Sequence, residues 1–143
     1  MKKIVLSGLI ILLLLISVGC GWLGDFDFEV GTGYQVWRSS AHQVRIQPTF
    51  ENHLIWGEEA PIIEAKVVEI AWDNRWVLAK RFPLIDNPQR PDGPQIPDET
   101  NPLYYILDTI EVVLYGPFDL ASFEEKRQEL GISDDLVLRP VRP

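Results

Sequence analysis

Ile62–Phe82, IIEAKVVEIAWDNRWVLAKRF, decides the fold. Two runs rich in β-branched, aromatic and aliphatic residues flank Asp73-Asn74-Arg75, and such runs bounded by turn formers read as a β-hairpin. Asp and Asn suit the turn because their short side chains bond nearby backbone groups and tolerate a left-handed backbone. Successive side chains of a strand point to opposite faces. Val68, Ile70 and Trp72 therefore share one face of the first strand, and Trp76, Leu78 and Lys80 share a face of the second. Whether the two tryptophans meet depends on the length of the turn, because a slip of one residue reverses every side chain.

The same pattern appears on both sides. Upstream, Gly33–Pro48 (GYQVWRSSAHQVRIQP) reads as strand, turn and strand, with Val44 and Ile46 alternating with Gln43, Arg45 and Gln47. Downstream, Leu103–Phe118 (LYYILDTIEVVLYGPF) is a further hairpin around Asp108–Glu111, ended by Gly116-Pro117. Asp119 is then placed to cap a helix over Leu120–Leu130, because a carboxylate at this position satisfies free N–H groups of the first turn. Leu120, Phe123, Arg127 and Leu130 fall on one face of that helix, with Gly131 as its stop. Leu136–Leu138 is a candidate last strand. Three sequential hairpins predict an α+β fold: an antiparallel β-meander of six or seven strands, with the C-terminal helix packed on the sheet. A half-open barrel is the variant.

Two connections interrupt the pattern. Thr49–Pro61 carries Phe50, Leu54, Ile55 and Trp56 and is expected to fold over an open end of the sheet. Pro83–Pro102 holds six prolines in 20 residues, which lack the N–H that regular structure needs, so it is expected to be a long, mostly extended surface loop.

The N-terminal stretch, MKKIVLSGLIILLLLISVGC, sets a compartment rather than a fold. Lys2 and Lys3 precede an apolar run, Ile4–Val18, of signal-peptide length and shorter than a spanning helix needs. Small residues lead into Cys20. This resembles the lipobox of bacterial lipoprotein precursors, in which the cysteine thiol receives a diacylglyceryl group and becomes the new N-terminus. Ser17 departs from that pattern, which usually has a larger aliphatic residue there. The expected organisation is a signal peptide over 1–19, a lipidated N-terminus and tether over 20–32, and one domain over 33–143. An ordinary secretory signal and an uncleaved anchor are the other readings of the same residues.

Composition narrows the function classes. Cys20 is the single cysteine, so the domain after it has neither a disulfide nor a thiolate metal cluster. Removing Lys2 and Lys3 leaves 11 basic against 21 acidic residues, a charge of −10. That excludes a nucleic-acid binder, which needs a basic footprint. It suits solubility, and equally a cationic protein or peptide partner. The sequence holds no G-x-S-x-G and no H-E-x-x-H. His42 lies near a bend with no partner at a useful spacing, and His53 could join it as a metal ligand only if the fold brings the two together.

Asp25, Asp27 and Glu29 alternate with Phe26, Phe28 and Val30. They are the candidate oxygen ligands for a hard cation; an edge strand or tether with a solvated acidic face is the other reading. Trp37, Trp72 and Trp76 are the candidate binding surface if exposed. No cofactor is expected.

As a set, GDFDFE, GYQVWRSSAHQVRI, AKVVEIAWDNRWVLAKR, YYILDT, LYGPF and FEEKRQELGI are similar to an uncharacterised family of small lipoproteins from Gram-positive, spore-forming bacteria, a domain of unknown function. The resemblance implies the outer face of the plasma membrane and carries no activity, cofactor or catalytic residue. It also implies that Asn87–Asn101 is an insertion. Two function classes follow. One is a membrane-anchored extracytoplasmic lipoprotein that binds or inhibits without catalysis. The other is an enzyme or accessory subunit acting on cell-envelope material through carboxylates brought together by folding.

Overall fold

Val77, Leu78 and Ala79 are consecutive and all buried, as are Tyr104 to Asp108. A strand with both faces buried needs cover from two sides, and the chain supplies it. The computed structural model describes residues 25–142. Its central layer is a five-stranded antiparallel sheet in the order β10-β4-β5-β8-β9. These strands are β4 (Val67–Trp72), β5 (Trp76–Arg81), β8 (Leu103–Asp108), β9 (Val113–Phe118) and β10 (Arg139–Pro140). A three-stranded antiparallel sheet covers one face: β1 (Phe26–Val30), β2 (Tyr34–Arg38) and β3 (Val44–Pro48). Helix α2 (Leu120–Glu129) covers the other.

The core is accordingly double. Between the sheets, Val30, Tyr34, Val36 and Ile46 pack against Val67, Ile70, Val77 and Leu107. On the helix side, Phe123 and Ile132 pack on Leu78, Tyr104 and Ile106. The fold is α+β and mostly β, but the ten described strands form antiparallel sheets rather than one meander of six or seven. The reason lies between Pro48 and Val67. There the chain folds helix α1 (Phe50–Trp56) and crosses to a second layer instead of pairing β3 with β4.

The three predicted hairpins are β2–β3, β4–β5 and β8–β9. The Asp119 carboxylate caps α2 by accepting from the Ser122 N–H at 2.8 Å. Phe123 and Arg127 are buried beneath that helix, whereas Leu120 stands exposed. The last strand falls at Arg139–Pro140 rather than Leu136–Leu138, paired with Glu69 and Ile70. The proline-rich loop contains a short ribbon, β6 (Leu84–Ile85) with β7 (Ile96–Pro97). The alternating acidic stretch forms an edge strand over Phe26–Val30, with Phe26, Phe28 and Val30 turned inward and Asp27 and Glu29 exposed. Cys20 and the segment 1–19 read as a signal peptide lie outside the described residues, and no described helix is long and apolar enough to cross a membrane.

Candidate functional site

Helix α1 carries the most unusual surface. Seven residues are too few to hold a helix in water alone, so its stability must come from packing. The Trp56 indole stacks on the buried Tyr34 ring at 5.4 Å. Asn52 donates to the Thr49 hydroxyl at 2.8 Å, and the Thr49 N–H donates to the Gly33 carbonyl at 2.9 Å. Gly33 has a φ of +75°, and a Cβ there would lie 2.7 Å from Trp56 and 2.8 Å from Asn52. The turn between β1 and β2 therefore needs glycine for α1 to sit down. Gly57, at a φ of 76°, ends the helix, its N–H donating to the His53 carbonyl.

Seated this way, α1 turns its apolar residues outward. Phe50 is 75% exposed, Leu54 69% and Ile55 75%. Phe50 and Leu54 are one turn apart and share a face. Beside them a cleft of about 380 Å³ is lined by Gln35, Gln47, Pro48, Phe50, His53 and Ile62. Glu51, Glu58, Glu59 and Glu64 are all exposed, and residues 46–65 include neither Lys nor Arg. Single exposed apolar residues are ordinary, but a contiguous group with a charged rim marks a contact surface. The sequence shows the charge bias directly. It hides the outward turn of the apolar residues, because one short helix offers no periodicity to read.

The three tryptophans do not form one surface. Trp37 lies on the outward face of β2, with the Arg45 guanidinium 4.7 Å over its ring. Trp76 is half-buried on the helix side of the central sheet, with Arg75 over its ring at 4.7 Å. Trp72 is 44% exposed. It packs against Phe28 at 5.7 Å in a second cleft, of about 300 Å³, between the margins of the two sheets.

The histidines are apart: His42 is within hydrogen-bond distance of the Gln95 carbonyl, 3.1 Å, and His53 is on α1. Asp27 and Glu29 stand on the outward face of β1 with no ligand set around them. Among the described residues no group of three or more His, Cys, Asp or Glu is placed to hold a metal ion.

The buried carboxylate, Asp108, is 1% exposed, and its oxygens are already engaged. Oδ2 accepts from Arg75 Nε at 3.0 Å and Nη2 at 2.6 Å, and Oδ1 accepts from the Ile110 and Glu111 N–H groups at 3.1 Å. Burial pushes its carboxyl up, but these hydrogen bonds outweigh burial and hold it below the ordinary range. Beside it Thr109 donates to the Arg75 carbonyl at 2.8 Å and accepts from the Thr32 N–H at 3.0 Å, while the Thr32 hydroxyl donates to the Asn74 carbonyl at 2.7 Å. Three turns are tied together here, at the end of the molecule that carries α1. This is the chemistry of a structural clasp, with no oxygen left to act as acid or base.

Residues 31–142 match the family described as a protein of unknown function, DUF3997. No curated protein matches the chain, and no solved structure matches it.

Proposed function

Since the chain belongs to the DUF3997 family, whose function is unknown, we propose a role from its own surface: a membrane-anchored extracytoplasmic lipoprotein that captures a cationic, amphipathic protein or peptide on α1, without catalysis. The observation that carries the binding role is the exposed Phe50–Leu54–Ile55 group on a helix that carries the exposed Glu51 and is followed directly by the exposed Glu58 and Glu59. Covering such apolar side chains is worth about 1.5–3 kcal/mol each at full burial. The glutamates select against acidic partners and steer basic ones. The anchoring half rests on the Lys2–Cys20 signal and on the family resemblance. Tethering also concentrates the domain at one surface, where a weak site becomes effective.

The test is a binding series across ionic strength with a synthetic amphipathic helical peptide of Leu and Lys. The on-rate should fall about tenfold or more between low and physiological salt. Leu54→Asp should abolish binding. A salt-independent on-rate, or binding indifferent to Leu54→Asp, overturns the reading.

A further inference from the structure

Among the described residues β1 is an edge strand: it pairs only with β2, in register from Phe26↔Arg38 to Val30↔Tyr34. Alternate residues of an antiparallel strand send their N–H and C=O groups to opposite sides, so the outer side of β1 presents backbone groups that no described strand pairs. The Phe28–Trp72 cleft opens beside that edge. Its apolar lining includes Phe28, Ile70, Trp72, Leu136 and Val137. The opposite face of the same strand shows Asp27 and Glu29, with Asp25 just before it.

We propose that an extended peptide of alternating basic and apolar residues adds to β1 as a fourth strand of its sheet. Side chains of an added strand alternate between the same two faces as those of β1. Those on the Asp27 and Glu29 face meet carboxylates across the strand pair. Those on the Phe28 face enter the apolar cleft. Backbone bonding supplies affinity, and the alternate pockets supply specificity. Arg139 and Arg142 line the cleft together with Asp135. Two cations there oppose a basic side chain on that face, which confines the peptide's positive charges to the carboxylate face.

A second copy of this chain is a poor occupant. Antiparallel pairing of β1 with itself about Phe28 would set Asp27 against Glu29, and like charges directly opposite destabilise a sheet. The inference goes beyond the α1 reading, since it uses a different surface and an extended rather than helical partner.

The test uses the full chain and a blocked peptide alternating Lys with Val. A peptide of the same composition, with its Lys residues in one block, is the control. The alternating peptide should bind by calorimetry and slow amide exchange at Phe26–Val30; the blocked-order peptide should do neither. Trp72→Ala, and Asp27→Lys with Glu29→Lys, should each weaken binding about tenfold. Leu54→Asp should leave it unchanged, which separates this site from α1. Equal binding of both peptides, absence of protection in β1, or loss of binding on Leu54→Asp overturns the proposal. The exchange measurement on the unmodified chain decides even if a variant fails to fold.

Discussion

The Trp56 indole stacks on Tyr34 at 5.4 Å, and this contact holds the last turn of α1 against the outer sheet. The helix thus half-buries one aromatic while its remaining apolar side chains face solvent. On the proposed reading, stability and binding are carried by different residues of the same seven. Trp56→Ala should cost roughly 2 kcal/mol, less than the ~3–5 kcal/mol of a fully buried aromatic, because Trp56 is only half-buried. Leu54→Ala, at an exposed position, should stay within about 0.5 kcal/mol. Urea denaturation of the two variants checks the division. Equal losses would mean that the outer face of α1 is part of the core.

The Arg75–Asp108 clasp predicts an acid limb of stability. Its hydrogen bonds hold the folded carboxyl below the ordinary range, whereas in the unfolded chain it titrates near ~3.9. The unfolded state therefore binds the proton first as pH falls. The stabilisation is complete above about pH 4 and is lost as pH drops through the lower folded value. Asp119 is also held low, chiefly by hydrogen bonds from Ser122, and contributes to the same limb. Asp108→Asn should lower stability at neutral pH by about 1–3 kcal/mol and make the fall below pH 4 shallower. An unchanged acid profile would remove Asp108 from the linkage.

The alkaline side belongs to Tyr34. Burial pushes its hydroxyl from 10.0 to about 12, and that hydroxyl has no hydrogen-bond partner among the described side chains and backbone. A raised folded value means stabilisation that is full below pH 10 and lost as pH rises toward 12. Tyr34→Phe removes both the ionisable group and an unsatisfied donor. The variant should be at least as stable at pH 7 and should lose less stability between pH 10 and 12. A variant markedly less stable at pH 7 would show that the hydroxyl has a partner.

The hairpins, the Asp119 cap and the buried Phe123 were legible because each depends on residues close in sequence. Sheet membership was not. Nothing local to β3 or β4 says that they lie in different layers, although the doubly apolar runs Val77–Ala79 and Tyr104–Leu107 signal a strand covered on both faces. The three tryptophans parted for the same reason, since the face each occupies follows from register and layer. Thr32, Asn74, Arg75 and Thr109 meet across 34 to 77 residues of chain, a relation no spacing rule reveals. The outward turn of Phe50, Leu54 and Ile55 ran against the usual burial of such residues.

The proposed anchor at Cys20 makes a geometric prediction about α1. The chain enters the domain at Phe26, which pairs with Arg38 at one end of the outer sheet. α1 follows Pro48, which pairs with Tyr34 at the other end. Four residue steps separate the ends, about 14 Å, and residues 21–25 span at most about 18 Å more. A domain held by lipid at Cys20 and standing on its Phe26 end presents α1 away from the bilayer, toward soluble partners. Glu51, Glu58 and Glu59 reinforce this, since an anionic leaflet repels them. The proposed acylation would block Cys20, the chain's single cysteine, so in the anchored form Leu54→Cys introduces the one free thiol. A polarity-sensitive dye on that thiol should give the same emission on anionic vesicles as in detergent-free solution of residues 21–143, which lack Cys20. A blue shift confined to the vesicle-bound form would place α1 in the membrane instead. The apolar group would then be a second anchor rather than a site for a cationic partner.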